Sequence, residues 1–165
     1  MSIFSATFSC SAGAWRGVEA DLAEADSIDD IADIMRDAAA AHAPDAVEGT
    51  MVLLIEADDE WFALVRVDDH GDPRVFLSDA RVVMQHPVAE LLLDSGEIHI
   101  PEQAEGKGPE PYPDPSGDGE ILADLGIPAA DLLALTLSEG MLPGDVLAEI
   151  AERAGFAAPL EALRL

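Results

Sequence analysis

Lysine is almost missing from this chain. Lys107 is the only one among 165 residues, and with seven arginines it faces 34 acidic side chains. The net charge of -26 repels nucleic-acid phosphates and anionic membrane surfaces, and no basic patch offsets it. The expectation is no direct nucleic-acid contact and no membrane contact. Cysteine is equally scarce. Cys10 stands alone, which rules out an internal disulfide and every zinc site built on paired cysteines. Aromatic residues make up only 5 %, so Leu, Val, Ile and Ala fill most of the core. No apolar run approaches the ~20 residues that span a bilayer, and the first residues carry no basic, apolar leader. The expected location is the cytoplasm.

What is there suffices for a folded domain. The length is that of one ordinary domain, and 49 % of the residues are apolar. The acidity has two readings. It follows from an alanine-rich, lysine-poor genome or a salty cell, or it steers the chain towards a basic protein, one that itself handles RNA.

Residues 3–9 alternate, with Phe4, Ala6 and Phe8 on one face and Ser5, Thr7 and Ser9 on the other, as in a half-buried strand. A turn at Ser11-Ala12-Gly13 leads to a second strand from Trp15 to Leu22, giving a hairpin. Ser27 reads as an N-cap, and the apolar spacing of Ile28, Ile31, Ile34, Met35 and Ala38 predicts a helix to about His42. Its opposite face carries Asp30, Asp33 and Asp37. Met51–Ile55, Trp61–Val67 and Arg74–Leu77 read as a three-stranded meander. The middle strand is apolar on both faces, which predicts cover on both sides.

Ser78 reads as the cap of a short helix over 79–85, and Pro87 as the first turn of another over 88–93. Residues 94–119 turn to Pro, Gly and acids and read as an exposed linker, with one short edge strand over Ile98–Ile100. Pro128 and Pro143 open helices that end near Gly140 and Gly155, and Pro159 starts a final turn. The fold class is therefore α+β: a mainly antiparallel sheet (hairpin, helix, meander) with a helical C-terminal segment packed on it. The expected divisions are an α+β sheet domain over 1–93, an acidic linker over 94–119 and a helical segment over 120–165.

No constellation makes a convincing active site. His42, His70, His86 and His99 are scattered, and none pairs at a zinc-binding spacing. No serine sits in a nucleophile elbow, and Gly106-Lys107-Gly108 is too short for a phosphate loop. No metal, cofactor or catalytic residue is expected. The acid pairs Asp58-Asp59 and Asp68-Asp69 fall on hairpin tips at opposite ends of the meander and read as solvated turns. Pairing across the last turn would put Arg66 directly opposite Arg74, which is unfavourable unless carboxylates or an anion intervene. Asp68, Asp72 or the linker would neutralise the pair. Alternatively, the two form a fork for a partner's carboxylate or a phosphate. Trp61 reads as a core anchor, and Trp15, beside a turn, as an exposed contact.

The runs Asp59-Glu60-Trp61-Phe62-Ala63-Leu64-Val65-Arg66-Val67 and Asp72-Pro73-Arg74-Val75-Phe76-Leu77-Ser78-Asp79-Ala80 resemble the signature of the tRNA adenosine deaminase-associated proteins of actinobacteria. Leu122-Ala123-Asp124-Leu125-Gly126, and Leu142-Pro143 through Ala151-Glu152-Arg153-Ala154-Gly155-Phe156, are similar to that family's tail. The resemblance implies association with the enzyme that converts adenosine to inosine in tRNA, and it supplies no catalytic residues. The enzyme's own His-x-Glu and Pro-Cys-x-x-Cys, which hold zinc and shuttle protons, are absent.

The leading expectation is a non-catalytic accessory protein that binds a basic protein, the deaminase among the candidates. Trp15, Asp30, Asp33, Asp37, Asp58, Asp59, Arg66 and Arg74 are the candidate contact residues. The alternatives are a nucleic-acid mimic occupying a basic RNA-binding surface, and a small enzyme with an unrecognised carboxylate or arginine site.

Overall fold

Ser27 caps the first helix as its sequence predicts. The Ser27 Oγ accepts the Asp30 backbone N–H at 3.2 Å, and α1 runs from Ile28 to His42. Asp29 and Asp30 lie in its first turn, where carboxylates complement the helix dipole. The computed structural model describes residues 3–42, 46, 49–58, 60–68, 71–82, 86–92, 98, 115–138 and 140–164. Before α1 come β1 (Ile3–Ser11) and β2 (Ala14–Glu19), paired as the expected hairpin. After it come β3 (Thr50–Ala57), β4 (Trp61–Asp68) and β5 (Arg74–Leu77). The short helix α2 (Pro87–Leu91) and the strand β6 (Ser116–Gly117) follow. The chain then forms α3 (Ala129–Thr136), α4 (Pro143–Ala154) and α5 (Ala157–Arg164).

All six strands form one antiparallel sheet in the order β2-β1-β3-β4-β5-β6. The α+β class holds, with α1 on one face of the sheet and the C-terminal helices on the other. Strand alternation sorts the core accordingly. Leu53, Ile55, Trp61, Ala63, Val65 and Val75 face α1, whose Ile31, Ala32, Met35 and Ala39 are buried against them. Phe8, Val52, Leu54, Phe62, Leu64 and Phe76 face the tail. The tail answers with Ile121, Leu132, Leu147, Ile150, Phe156 and Leu160. Leu122, Leu132, Leu147 and Leu160 of the tail thus bury against the sheet face that α1 leaves bare.

Several local expectations change. Ser5, Thr7 and Ser9 do not form a wet face, because α1 covers them. Small polar side chains let the helix approach, and two spend their hydroxyls locally: Ser5 Oγ donates to the Ala20 carbonyl at 2.7 Å, and Ser9 Oγ lies 2.9 Å from His42 Nδ1. Ser78 Oγ accepts the Phe62 N–H at 2.9 Å, extending the β4–β5 ladder instead of capping a helix start; a 3-10 turn at Ala80–Val82 follows, and 83–85 of the expected helix lie outside the described residues. β6 is an edge strand that the linker donates, and of the strand expected over Ile98–Ile100 only Ile98 falls among the described residues. Ile98 is buried beside Gly117, while 99–114 lie outside the described residues. The last helix starts at Ala157, two residues before Pro159. No helix among the described residues is long and apolar enough to cross a membrane.

Phe156 fastens the tail to the hairpin. Its ring stacks on Phe8 with centroids 4.6 Å apart and meets Trp15 at 5.1 Å. Gly17, opposite Phe8 in the β1–β2 register, makes room for this, since a Cβ there would lie 2.6 Å from the Phe8 ring. Phe156→Ala removes a fully buried ring and is expected to cost about 3–5 kcal/mol. Urea denaturation will read this as a lower midpoint at unchanged slope.

Candidate functional site: a buried arginine and its carboxylates

The β4–β5 register places Arg66 directly opposite Arg74, as the turn length predicts. Both arginines extend towards the tail, where three carboxylates meet them. The Arg66 side chain is only 4 % exposed. Its Nε donates to Asp68 Oδ1 at 3.0 Å. Nη1 donates to the Ile121 carbonyl at 2.7 Å and to Asp124 Oδ1. Nη2 donates to Asp124 Oδ2 at 2.8 Å and to Thr50 Oγ1 at 3.3 Å. A guanidinium has five N–H donors, and all five are used. Asp124 thus grips Arg66 bidentately, the strong form of the carboxylate–guanidinium pair.

Arg74 is engaged less completely. Its Nε donates to Asp118 Oδ2 at 2.6 Å and its Nη2 to the Glu120 carbonyl at 3.2 Å. Asp118 is held in place in turn. Its N–H donates to the Val75 carbonyl at 2.8 Å, and its Oδ1 accepts the Glu120 N–H at 2.9 Å. Just before it stands Gly117 at φ 109°, where a Cβ would come within 2.2 Å of the Val75 carbonyl oxygen. Only glycine lets this stretch lie close enough to β5 for Asp118 to reach Arg74.

The electrostatics follow from the geometry. Hydrogen bonding to Asp124 raises the Arg66 pKa above its ordinary value, against the opposing effect of burial, and Asp68 adds to the rise. The bond to Arg66 likewise holds the Asp124 carboxyl below its ordinary range. Chemically the cluster is self-neutralising. A partner's carboxylate would have to displace Asp124 to reach Arg66. Asp68 is therefore no solvated turn residue but a ligand of Arg66, bonded also by Thr50 Oγ1 at 2.8 Å.

The other candidates fall elsewhere. Asp33 and Asp37 are exposed on α1, across the sheet from the arginines, and Asp33 makes only a 3.5 Å contact with Arg36. Asp30 is half-buried and accepts the Asp26 N–H at 2.9 Å, so it closes the helix start. Asp30 and Asp33 join Asp21 and Glu24 around an open, shallow depression of about 350 Å³. Trp15 is half-buried against Phe156 instead of standing free. Asp58 is exposed at a left-handed turn position with φ 47°. Asp59, His70 and His99 lie outside the described residues. His86 packs 5.7 Å from Trp61. The Ser9–His42 pair has its hydroxyl buried, so it ties α1 to β1 instead of facing a substrate. Among the described residues, no group of three or more His, Cys, Asp or Glu is placed to hold a metal ion.

The expected neutralisation by Asp68 or the linker is seen: Asp68 bonds Arg66, and Asp118, from the 94–119 linker, bonds Arg74, while Asp124 lies outside that expectation. The opposed arginines signalled a need for carboxylates, but nothing local singles out Asp118 within the linker or Asp124 beyond it.

Comparison with known proteins now bears on this arrangement. The model of the Rv3753c-like tRNA adenosine deaminase-associated proteins matches residues 3–157. The chain belongs to that family. The match runs from β1 into α5 and includes Arg66, Arg74, Asp118 and Asp124. The chain is also similar to Protein Rv3753c of Mycobacterium tuberculosis (strain ATCC 25618 / H37Rv), at 33 % identity over 116 residues, which is 70 % of this chain. It spans 64 % of that relative's length. No solved structure matches.

Asp124→Asn leaves Arg66 short of a charged partner and is expected to destabilise the fold by about 1–2 kcal/mol at neutral pH. Asp124 is 64 % exposed, and solvent screening keeps the loss below that of a fully buried pair. The folded carboxyl titrates lower than the unfolded one. Its contribution is therefore complete above the unfolded value of about 4 and fades as pH falls through the folded value. Denaturation of both forms from pH 7 to pH 3 should show the wild-type advantage shrinking towards acid.

Proposed function

We propose that this chain is a non-catalytic, acidic accessory protein that associates with a tRNA adenosine deaminase in the cytoplasm. Membership of the Rv3753c-like tRNA adenosine deaminase-associated family carries this reading. Three further observations support it. The net charge of -26 complements a protein built to hold tRNA, whose own surface must be basic. The exposed carboxylates of Asp33 and Asp37 present that charge on a rigid helix. The arginines that offered a catalytic or anion-binding alternative are spent on Asp68, Asp118 and Asp124. The sequence also lacks the deaminase's zinc ligands, so the chain complements the enzyme and does not duplicate it.

A second reading makes the acidic face a mimic of nucleic acid in the enzyme's tRNA channel. The grouping of Asp21, Glu24, Asp30 and Asp33 around one depression favours it. Pull-down of the purified deaminase with the tagged chain, at low and at moderate salt, is expected to recover the enzyme with a yield that falls as salt rises. Recovery at neither salt would overturn the accessory role. Adding tRNA to the recovered complex then separates the readings: release of the enzyme indicates mimicry, and a ternary complex excludes it.

A further inference from the structure

The helix α3 is apolar on two sides. Its inner side buries Leu132 and half-buries Leu135 against the sheet. Its outer side carries Ala130, Leu133 and Ala134, continued by Leu137 at the C-cap, all exposed, at the i, i+3, i+4, i+7 spacing of a helix-packing stripe. Leu133 is 46 % exposed and Leu137 41 %, and Leu142, after the turn that leaves α3, is 48 % exposed. Ile3 is the only other large hydrophobic residue so exposed among the described residues. Three of four thus fall within ten residues of one another. Scattered single leucines need no explanation, but a stripe with a second stripe already buried beneath it does.

We propose that this outer stripe, extended by Leu142, is a docking surface for a basic amphipathic helix of a partner protein. Shape supports a helix. The stripe runs about 10 Å along the α3 axis, and Ala130 and Ala134 leave shallow grooves beside Leu133 and Leu137 that accept the ridge of another helix. Charge selects a basic one. Asp131 on α3 and Asp145, which accepts the Leu142 N–H at 3.2 Å, border the stripe. The nearby cation Arg153 is shared between Asp131 at 3.2 Å and Glu149 at 3.1 Å, so with Asp145 the border stays net acidic. A second copy of this chain would bring another -26 and the same acidic border, which disfavours self-association. The acidic 99–114 segment of this chain is disfavoured for the same reason. The inference rests on the accessory role proposed above and names the surface through which that role would act.

The test uses the full chain with Leu133→Gln and Leu137→Gln together, which leaves the charge unchanged. Both positions are exposed, so melting within about 2 °C of wild type is expected; if it falls further, Leu142→Gln alone replaces the pair. Where wild type captures the deaminase, at least a tenfold weaker capture by the variant supports the docking surface. Equal capture overturns it while leaving the accessory role intact. Where wild type captures no deaminase, the accessory role falls, and a synthetic helix with leucines at i, i+3, i+4 and i+7 and arginines elsewhere becomes the probe. At least a tenfold loss of affinity for that peptide in the variant supports the surface, and no loss overturns it. Sedimentation showing a wild-type dimer that the variant lacks would assign the stripe to a second copy and overturn the proposal.

Discussion

Arg66 is a cation in the middle strands of a sheet, and the arrangement of the tail follows from the need to satisfy it. A buried guanidinium left without partners costs several kcal/mol, so the fold is viable only where acceptors converge on it. Asp68 and Thr50 come from the sheet itself. Asp124 and the Ile121 carbonyl come from the chain that returns after the linker. The tail is therefore held not only by apolar packing, which is tolerant of sliding, but by three directional bonds to one group. Packing supplies most of the attraction, and the guanidinium supplies the address. Arg74 and Asp118 repeat the device one strand further out, with Gly117 allowing the close approach.

The same logic explains why acidity and burial coexist here. With so few basic residues, each arginine is a scarce organiser. Three of the seven arginines, Arg66, Arg74 and Arg153, bind carboxylates of the C-terminal part, and each bond fixes one piece of it. Other carboxylates, Asp33 and Asp37 among them, stand exposed at the surface.

Much of the fold was legible in the sequence because its signals are local. The Ser27 cap, the apolar period of α1, the two-sided hydrophobicity of β4 and the turn that opposes Arg66 to Arg74 each depend on residues near in sequence. What was not legible depends on long-range partners. Ser5, Thr7 and Ser9 read as wet by alternation alone, since only the position of α1 over β1 buries them. Ser78 has the chemistry of a cap, yet the open N–H of Phe62 claims its oxygen. Trp15 lies beside a turn, and its partner Phe156 is far away in sequence. Of the arginine cluster's carboxylates, Asp68 was legible beside Arg66, but Asp124 stands 58 residues from the cation it serves.

The two-sided sheet also has a temporal side. The chain is made from its N-terminus, and α1 is available to cover one face as soon as the meander forms. The opposite face, with Leu54, Phe62, Leu64 and Phe76, waits for the last three helices. Until they emerge, the nascent protein carries an open apolar surface of the kind that aggregates. Arg66, Asp68 and Arg74 share that face with Leu64 and Phe76, so charged side chains interrupt its apolar ones. With the tail absent, the guanidinium that later orients it stands open to water.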